Sequence, residues 1–135
     1  MSGAIVLAAG GTGGHLFPAE SLARELKARG FRVELISDER VAPFAATFPA
    51  DAIHRIVSGT VTGAGLLGKA KGVLSLGRGL LQSRGLIARI RPAAVVGFGG
   101  YPSVPPVLAA SLMRLPTVLH EQNAVMGRAN RFLSA

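Results

Sequence analysis

Short apolar runs alternate with longer stretches of helical period along this chain, and that rhythm limits its fold more than any other feature. Ala4–Ala8, Phe31–Ser37 (FRVELIS), Ala52–Val57 (AIHRIV), Ala93–Phe98 (AAVVGF) and Thr117–His120 (TVLH) read as strands. Leu16–Arg29 reads as a helix, with Pro18 suited to its first turn, Gly30 to its stop, and Leu22 and Leu26 on one face. A short helix is expected around Val41–Thr47, ending before Pro49, and residues 58–65 (SGTVTGAG) read as a flexible loop. Leu66–Arg91 has helical spacing but carries Gly68, Gly72, Gly77, Gly79 and Gly85. Each glycine costs up to about 1 kcal/mol relative to alanine, so two helices are expected, or one that breaks near Gly77–Gly79. Pro92 stops it, Ser103–Arg114 forms a helix with Pro105 and Pro106 in its first turn, and Val125–Leu133 is helical.

A strand–helix–strand rhythm of this kind implies a parallel sheet with helices on both faces. Such sheets present ligands to the loops that follow the strands. Three loops then matter: Gly10–His15 (GGTGGH), Gly97–Ser103 (GFGGYPS) and His120–Asn123 (HEQN).

The first loop packs four glycines and one histidine into six positions ahead of a helix. Glycine lets backbone N–H groups approach a ligand closely, and a helix N-terminus favours an anion. A packing-only turn is the bland alternative. The dinucleotide pattern G-x-G-x-x-G fails here, because Leu16 stands where its last glycine would be, and no Walker lysine follows. Asp38–Glu39 could imitate the ribose-binding acid of a nicotinamide oxidoreductase, an alternative that lacks its fingerprint. The second loop repeats the design with Gly99 and Gly100, so the two could clasp a pyrophosphate between them.

His15 stands at the start of a helix, where local positive potential disfavours its protonation. A neutral imidazole there can take a proton from a hydroxyl, or merely hydrogen-bond a carbonyl. Glu121 and Asn123 can hydrogen-bond hydroxyls or an amide, or build the wall of a cleft, and Asn123 can instead cap the next helix. One acid across three loops does not support a two-carboxylate hydrolase. Three scattered histidines and no cysteine point to no metal site and exclude disulfide or thiolate chemistry.

The chain's net charge of +8 lies in one segment. No acid occurs between Asp51 and Glu121, while Arg55, Lys69, Lys71, Arg78, Arg84, Arg89, Arg91 and Arg114 do. Such a segment attracts phosphates of lipid, nucleic acid or substrate, and with one tyrosine and no binding module nucleic acid is the weaker partner. Val73, Leu76, Leu80, Ile87 and Ile90 make one helical stripe, expected to be buried. Leu67, Ala70, Leu74 and Leu81 make a second stripe that either widens the core-facing surface or faces lipid, with Lys69, Lys71, Arg78 and Arg84 near head groups. A non-catalytic domain that binds anionic membranes is therefore a further alternative. The N-terminus lacks the basic region of a signal peptide and AIVLAA is too short to span a bilayer, so a cytosolic chain is expected.

GGTGGHLFPAESLARELKARG, GFGGYPSVPPVLAASLMRLPTVLHEQNAVMGRANRFLS and the basic stretch between them resemble the N-terminal domain of the MurG family of bacterial glycosyltransferases. The resemblance runs over almost the whole chain, with residues 38–65 matching loosely. It implies an α/β, Rossmann-like parallel sheet that is one half of a GT-B fold. It also implies transfer of N-acetylglucosamine from UDP-N-acetylglucosamine to lipid I, forming lipid II. Residues 1–135 would be the acceptor domain, with the nucleotide-sugar domain absent and the isolated chain inactive. By this resemblance Gly10, Gly11, Thr12, Gly13, Gly14, Gly99, Gly100 and Tyr101 hold the acceptor pyrophosphate. His15 is the candidate base, Asn123 faces the donor sugar, and Glu121 is a polar residue of the cleft. Leu66, Leu67, Lys69, Lys71, Val73, Leu74, Arg78, Leu81 and Arg84 occupy the place of a membrane patch. The implied location is the cytoplasmic face of the bacterial plasma membrane, with no cofactor or metal.

Overall fold

A computed structural model describes residues 3–57 and 65–135. Its strands are β1 (Ala4–Ala8), β2 (Arg32–Ser37), β3 (Ala52–Arg55), β4 (Ala94–Gly97) and β5 (Thr117–Leu119). Its α-helices are α1 (Gly13–Ala28), α2 (Gly65–Ile90), α3 (Val104–Leu112) and α4 (Arg128–Leu133), with 3-10 turns at Glu39–Phe44 and Tyr101–Ser103. All strand pairs are parallel, in the order β3-β2-β1-β4-β5.

Both faces of the sheet are covered, which is why β1 and β4 are apolar throughout rather than alternating. Ile5 and Leu7 of β1 turn to one face and pack with Leu16, Ala19 and Ala23 of α1 and Leu35 of β2. Val6 and Ala8 turn to the other and pack with Ile87 of α2 and Val107 and Ala110 of α3. The expected Leu22–Leu26 face of α1 lies against the first of these clusters.

Three helical expectations change. The first helix begins at Gly13, because the Thr12 carbonyl already accepts from His15 N (3.1 Å) and Leu16 N (2.9 Å). Pro18 therefore lies in the second turn, while Gly30, at φ +89°, ends the helix as expected. The long basic helix does not break: α2 runs unbroken for 26 residues through Gly77–Gly79. Docking overrides the glycine propensity. A Cβ at Gly79 would collide with the Val57 carbonyl and stand 3.1 Å from Pro105 Cγ, so the glycine admits the first turn of α3 against α2. The buried line of α2 consequently runs through the small residues Gly72, Gly79 and Ser83 to Ile87, and Val73 is 60% exposed rather than buried. Finally, the last helix is confined to Arg128–Leu133. The expected loop at 58–65 falls, but for Gly65, outside the described residues.

Candidate functional site

β1 and β4 are neighbours in the middle of the sheet, with Ala8 opposite Gly97, yet their chains leave in opposite directions along it. This is the topological switch point, where the loops after two adjacent strands open a crevice. The loop after β1 and the loop after β4 consequently touch. Gly10 N–H donates to the Gly99 carbonyl at 3.2 Å. Among the described residues no hydrogen bond engages the N–H groups of Gly11, Thr12, Gly13, Gly14, Gly99, Gly100 or Tyr101. The third loop joins the same rim through His120 N–H, which donates to Gly97 O at 2.7 Å.

The glycines divide by environment. A Cβ at Gly11 would strike the Asp38 carboxylate and approach Arg40 Cβ to 2.6 Å, so the turn after β2 packs directly on that residue. Gly13 lies under the Phe17 ring and Gly14 has open space. Gly10, Gly99 and Gly100 all lie against the imidazole of His15. Asp38, the residue that could imitate a ribose-binding acid, is spent on its own turn. It accepts from Arg40 N at 3.1 Å and from Arg40 Nε at 2.8 Å.

Two cavities meet at this rim. The larger, about 790 Å³, is lined by Thr12, Asp38, Glu39, Arg40, Arg55 and Gln82 among others. The smaller, about 310 Å³, is lined by Gly99, Glu121, Asn123, Arg128 and Asn130 among others. His15, Gly100 and Tyr101 line both and form the wall between them. Burial lowers the His15 pKa below its ordinary 6.5, with Arg40 acting in the same direction and Glu121 opposing. The expected direction holds, but burial is its largest cause.

Glu121 is built into the frame of the smaller cavity. Its Oε1 accepts from Gly127 N (2.7 Å) and Asn130 Nδ2 (3.2 Å), and its Oε2 from Asn123 N (3.3 Å) and Asn123 Nδ2 (3.1 Å). The Gly127 bond, first among these, holds its carboxyl below the usual carboxylate range. Asn123 therefore braces Glu121, while Gly127 is the N-cap of α4.

Arg40, Gln82 and Asn130 were not singled out from the sequence, and Arg55 only as one cation of the basic segment, because the four come from different elements. Asn130 is 1% exposed, and its Nδ2 donates to His120 O at 2.9 Å. An asparagine inside a short helix was the one available hint, since such residues disfavour helix interiors.

The residues assigned to a membrane patch share the outer surface of α2. Leu66, Leu67, Leu74 and Leu81 are 70–86% exposed, Val73 joins them, and Lys69, Lys71, Arg78 and Arg84 are exposed beside them. Among the described residues no helix is long and apolar enough to cross a membrane, and no group of three or more histidine, cysteine or acidic side chains could hold a metal.

Residues 5–135 match the glycosyltransferase family 28 N-terminal domain. The chain is 61% identical over 130 residues to a UDP-N-acetylglucosamine–N-acetylmuramyl-(pentapeptide) pyrophosphoryl-undecaprenol N-acetylglucosamine transferase of Methylorubrum populi, covering 96% of this chain and 35% of that protein. A transferase of the same name from Allorhizobium ampelinum is 58% identical, over 98% of this chain and 35% of its own length. The chain thus spans about a third of the length of the curated relatives it matches. Among solved structures, MurG of Acinetobacter baumannii superposes with a TM-score of 0.79 at 31% identity, over 99% of this chain and 39% of that one. These neighbours place the sheet as the N-terminal, Rossmann-like half of a GT-B fold.

Proposed function

Because the chain belongs to the glycosyltransferase family 28 N-terminal domain family, we propose that it is the acceptor-binding half of a longer, membrane-associated transferase. That enzyme moves N-acetylglucosamine from UDP-N-acetylglucosamine to the lipid-linked muramyl pentapeptide, lipid I, making lipid II for peptidoglycan. The nucleotide-sugar domain lies outside residues 1–135, and this chain alone is inactive.

One observation carries the reading: His15 lies on the wall shared by two cavities, one rimmed by free backbone amides and arginines, the other by Asn123 and Glu121. The acceptor pyrophosphate rests on the amides of Gly11, Thr12, Gly13 and Gly14 and of Gly99, Gly100 and Tyr101, at the positive end of α1. The acceptor hydroxyl then lies beside His15, and the donor sugar enters from the smaller cavity, against Asn123. His15, neutral near pH 7, takes the hydroxyl proton as oxygen attacks the anomeric carbon and UDP leaves, with inversion and without a metal.

The exposed leucines and cations of α2 hold the protein on the cytoplasmic face of the plasma membrane. Apolar side chains enter the head-group boundary while the basic groups meet anionic phosphates.

The full-length protein, given UDP-N-acetylglucosamine and acceptor, tests both claims. It is expected to transfer sugar to acceptor embedded in anionic vesicles and to a water-soluble short-chain acceptor. The triple variant Leu67→Gln, Leu74→Gln, Leu81→Gln should lose about ten-fold or more on vesicles and keep most transfer to the soluble acceptor. No product with either acceptor contradicts the transferase reading, and a variant equally active on vesicles contradicts the membrane patch.

A further inference from the structure

We infer that Thr12 is a positioning residue that fixes the neutral His15 ring as its Nδ1–H tautomer, leaving Nε2 as the free base, and that Gly10, Gly99 and Gly100 stay bare to seat that ring. The inference rests on the role given to His15 above and assigns a cause to residues so far read only as a phosphate cradle.

Thr12 Oγ1 lies 3.0 Å from His15 Nδ1. Thr12 is the N-cap of α1, with an extended backbone at φ −107° and ψ 155°, yet its side chain caps no helical amide. Its hydroxyl, which at this position ordinarily accepts from the second or third amide of a helix, is turned to the imidazole instead. A hydroxyl can accept one bond and still donate another. Accepting from Nδ1–H, it leaves its own proton for a ligand oxygen in the larger cavity that Thr12 lines.

Three glycines also pack against the ring. A Cβ at Gly10 would stand 3.1 Å from His15 Nδ1, one at Gly100 3.3 Å from Cε1 and Nδ1, and one at Gly99 3.2 Å from Cδ2 and 3.4 Å from Nε2. These contacts run from one ring nitrogen to the other, so the imidazole lies against three residues without side chains. Gly99 and Gly100 have φ of +92° and +81°, a conformation that other residues rarely adopt. The Gly10–Gly99 hydrogen bond ties together the two loops that carry these glycines. With Nδ1 engaged by Thr12, Nε2 is the nitrogen left to meet a hydroxyl. The charged groups acting on the ring are Glu121, from the loop after β5, and Arg40, from the turn after β2. Neither hydrogen-bonds it in this structure.

Nitrogen-15 NMR of the imidazole ring in the 135-residue chain reads the tautomer without turnover, with His54 and His120 as internal references. At a pH above its pKa, His15 is expected mainly as Nδ1–H. Thr12→Val should lower the Nδ1–H to Nε2–H ratio about ten-fold, the effect of losing one neutral hydrogen bond, and Thr12→Ser should restore it. A wild-type ring found as Nε2–H, or a ratio unmoved by Thr12→Val, overturns the inference. The base role is judged separately. An Nδ1–H ring in a protein whose full-length form keeps its kcat after His15→Ala would leave the tautomer assignment standing and remove the base.

Discussion

Replacing His15 with alanine in the full-length enzyme is expected to lower kcat by about 10²–10⁴-fold, the range a positioned general base supplies. The same experiment carries a pH signature. A general base must be unprotonated to act, and burial lowers the His15 pKa beneath 6.5. The neutral form therefore persists into mildly acid solution, and the wild-type rate should fall only below pH 6.5, as the ring takes up a proton. His15→Ala should lose that acid limb along with its rate. An unchanged kcat would remove His15 from the chemistry, whereas an acid limb that survives the substitution would assign that limb to another group.

Gly11→Ala is expected to destabilise the fold by about 1–3 kcal/mol, the usual cost of forcing atoms into a filled space. The alanine methyl would meet the Asp38 carboxylate and stand 2.6 Å from Arg40 Cβ and 2.9 Å from the Arg40 carbonyl carbon. All three atoms belong to a turn pinned by its own hydrogen bonds from Arg40 N and Nε to Asp38, so relief requires that turn to move. A lower denaturation midpoint at constant m-value is the diagnostic. Gly14→Ala is the control, because no atom lies within 4 Å of a Cβ there. If Gly11→Ala keeps wild-type stability and only weakens acceptor binding, its bareness serves the ligand and not the fold.

That contrast shows what could be read from the chain and what could not. The strands were legible because five short apolar runs, most of them flanked by turn residues, leave a parallel sheet as their natural arrangement. The meeting of the glycine loops then follows from strand order. The reasons for individual glycines were not legible, because they depend on partners distant in sequence: Asp38 and Arg40 for Gly11, Val57 and Pro105 for Gly79. Val73 was misplaced for a related reason. Apolar periodicity finds stripes of large side chains, but α2 docks through Gly72, Gly79 and Ser83, whose smallness permits close approach and leaves little hydrophobic signal. Pro18 misled in the opposite way. Its preference for first turns set the helix start too late, while the Thr12 carbonyl had already opened the helix.

Glu121 illustrates the limit for site residues. A lone carboxylate after a strand reads either as a group offered to ligand or as part of a cleft wall. The chain folds back so that Asn123, Gly127 and Asn130 all donate to it, and Glu121 lines the smaller cavity together with Asn123 and Asn130. His15 was legible in position and in the direction of its pKa. Its seat on Gly10, Gly99 and Gly100 required the two loops to be in place first.

The central claim is that backbone amides on two loops, joined at the switch point of the sheet, grip the pyrophosphate of a lipid-linked sugar. Amide chemical shifts of this chain, recorded while a soluble pyrophosphoryl muramyl-pentapeptide analogue is added, test it most directly. The account predicts the largest movements at Gly11 to Gly14 and at Gly99 to Tyr101, with a monophosphate analogue giving much smaller ones. Saturable binding that leaves those amides still and moves others, or no binding at all, would contradict it.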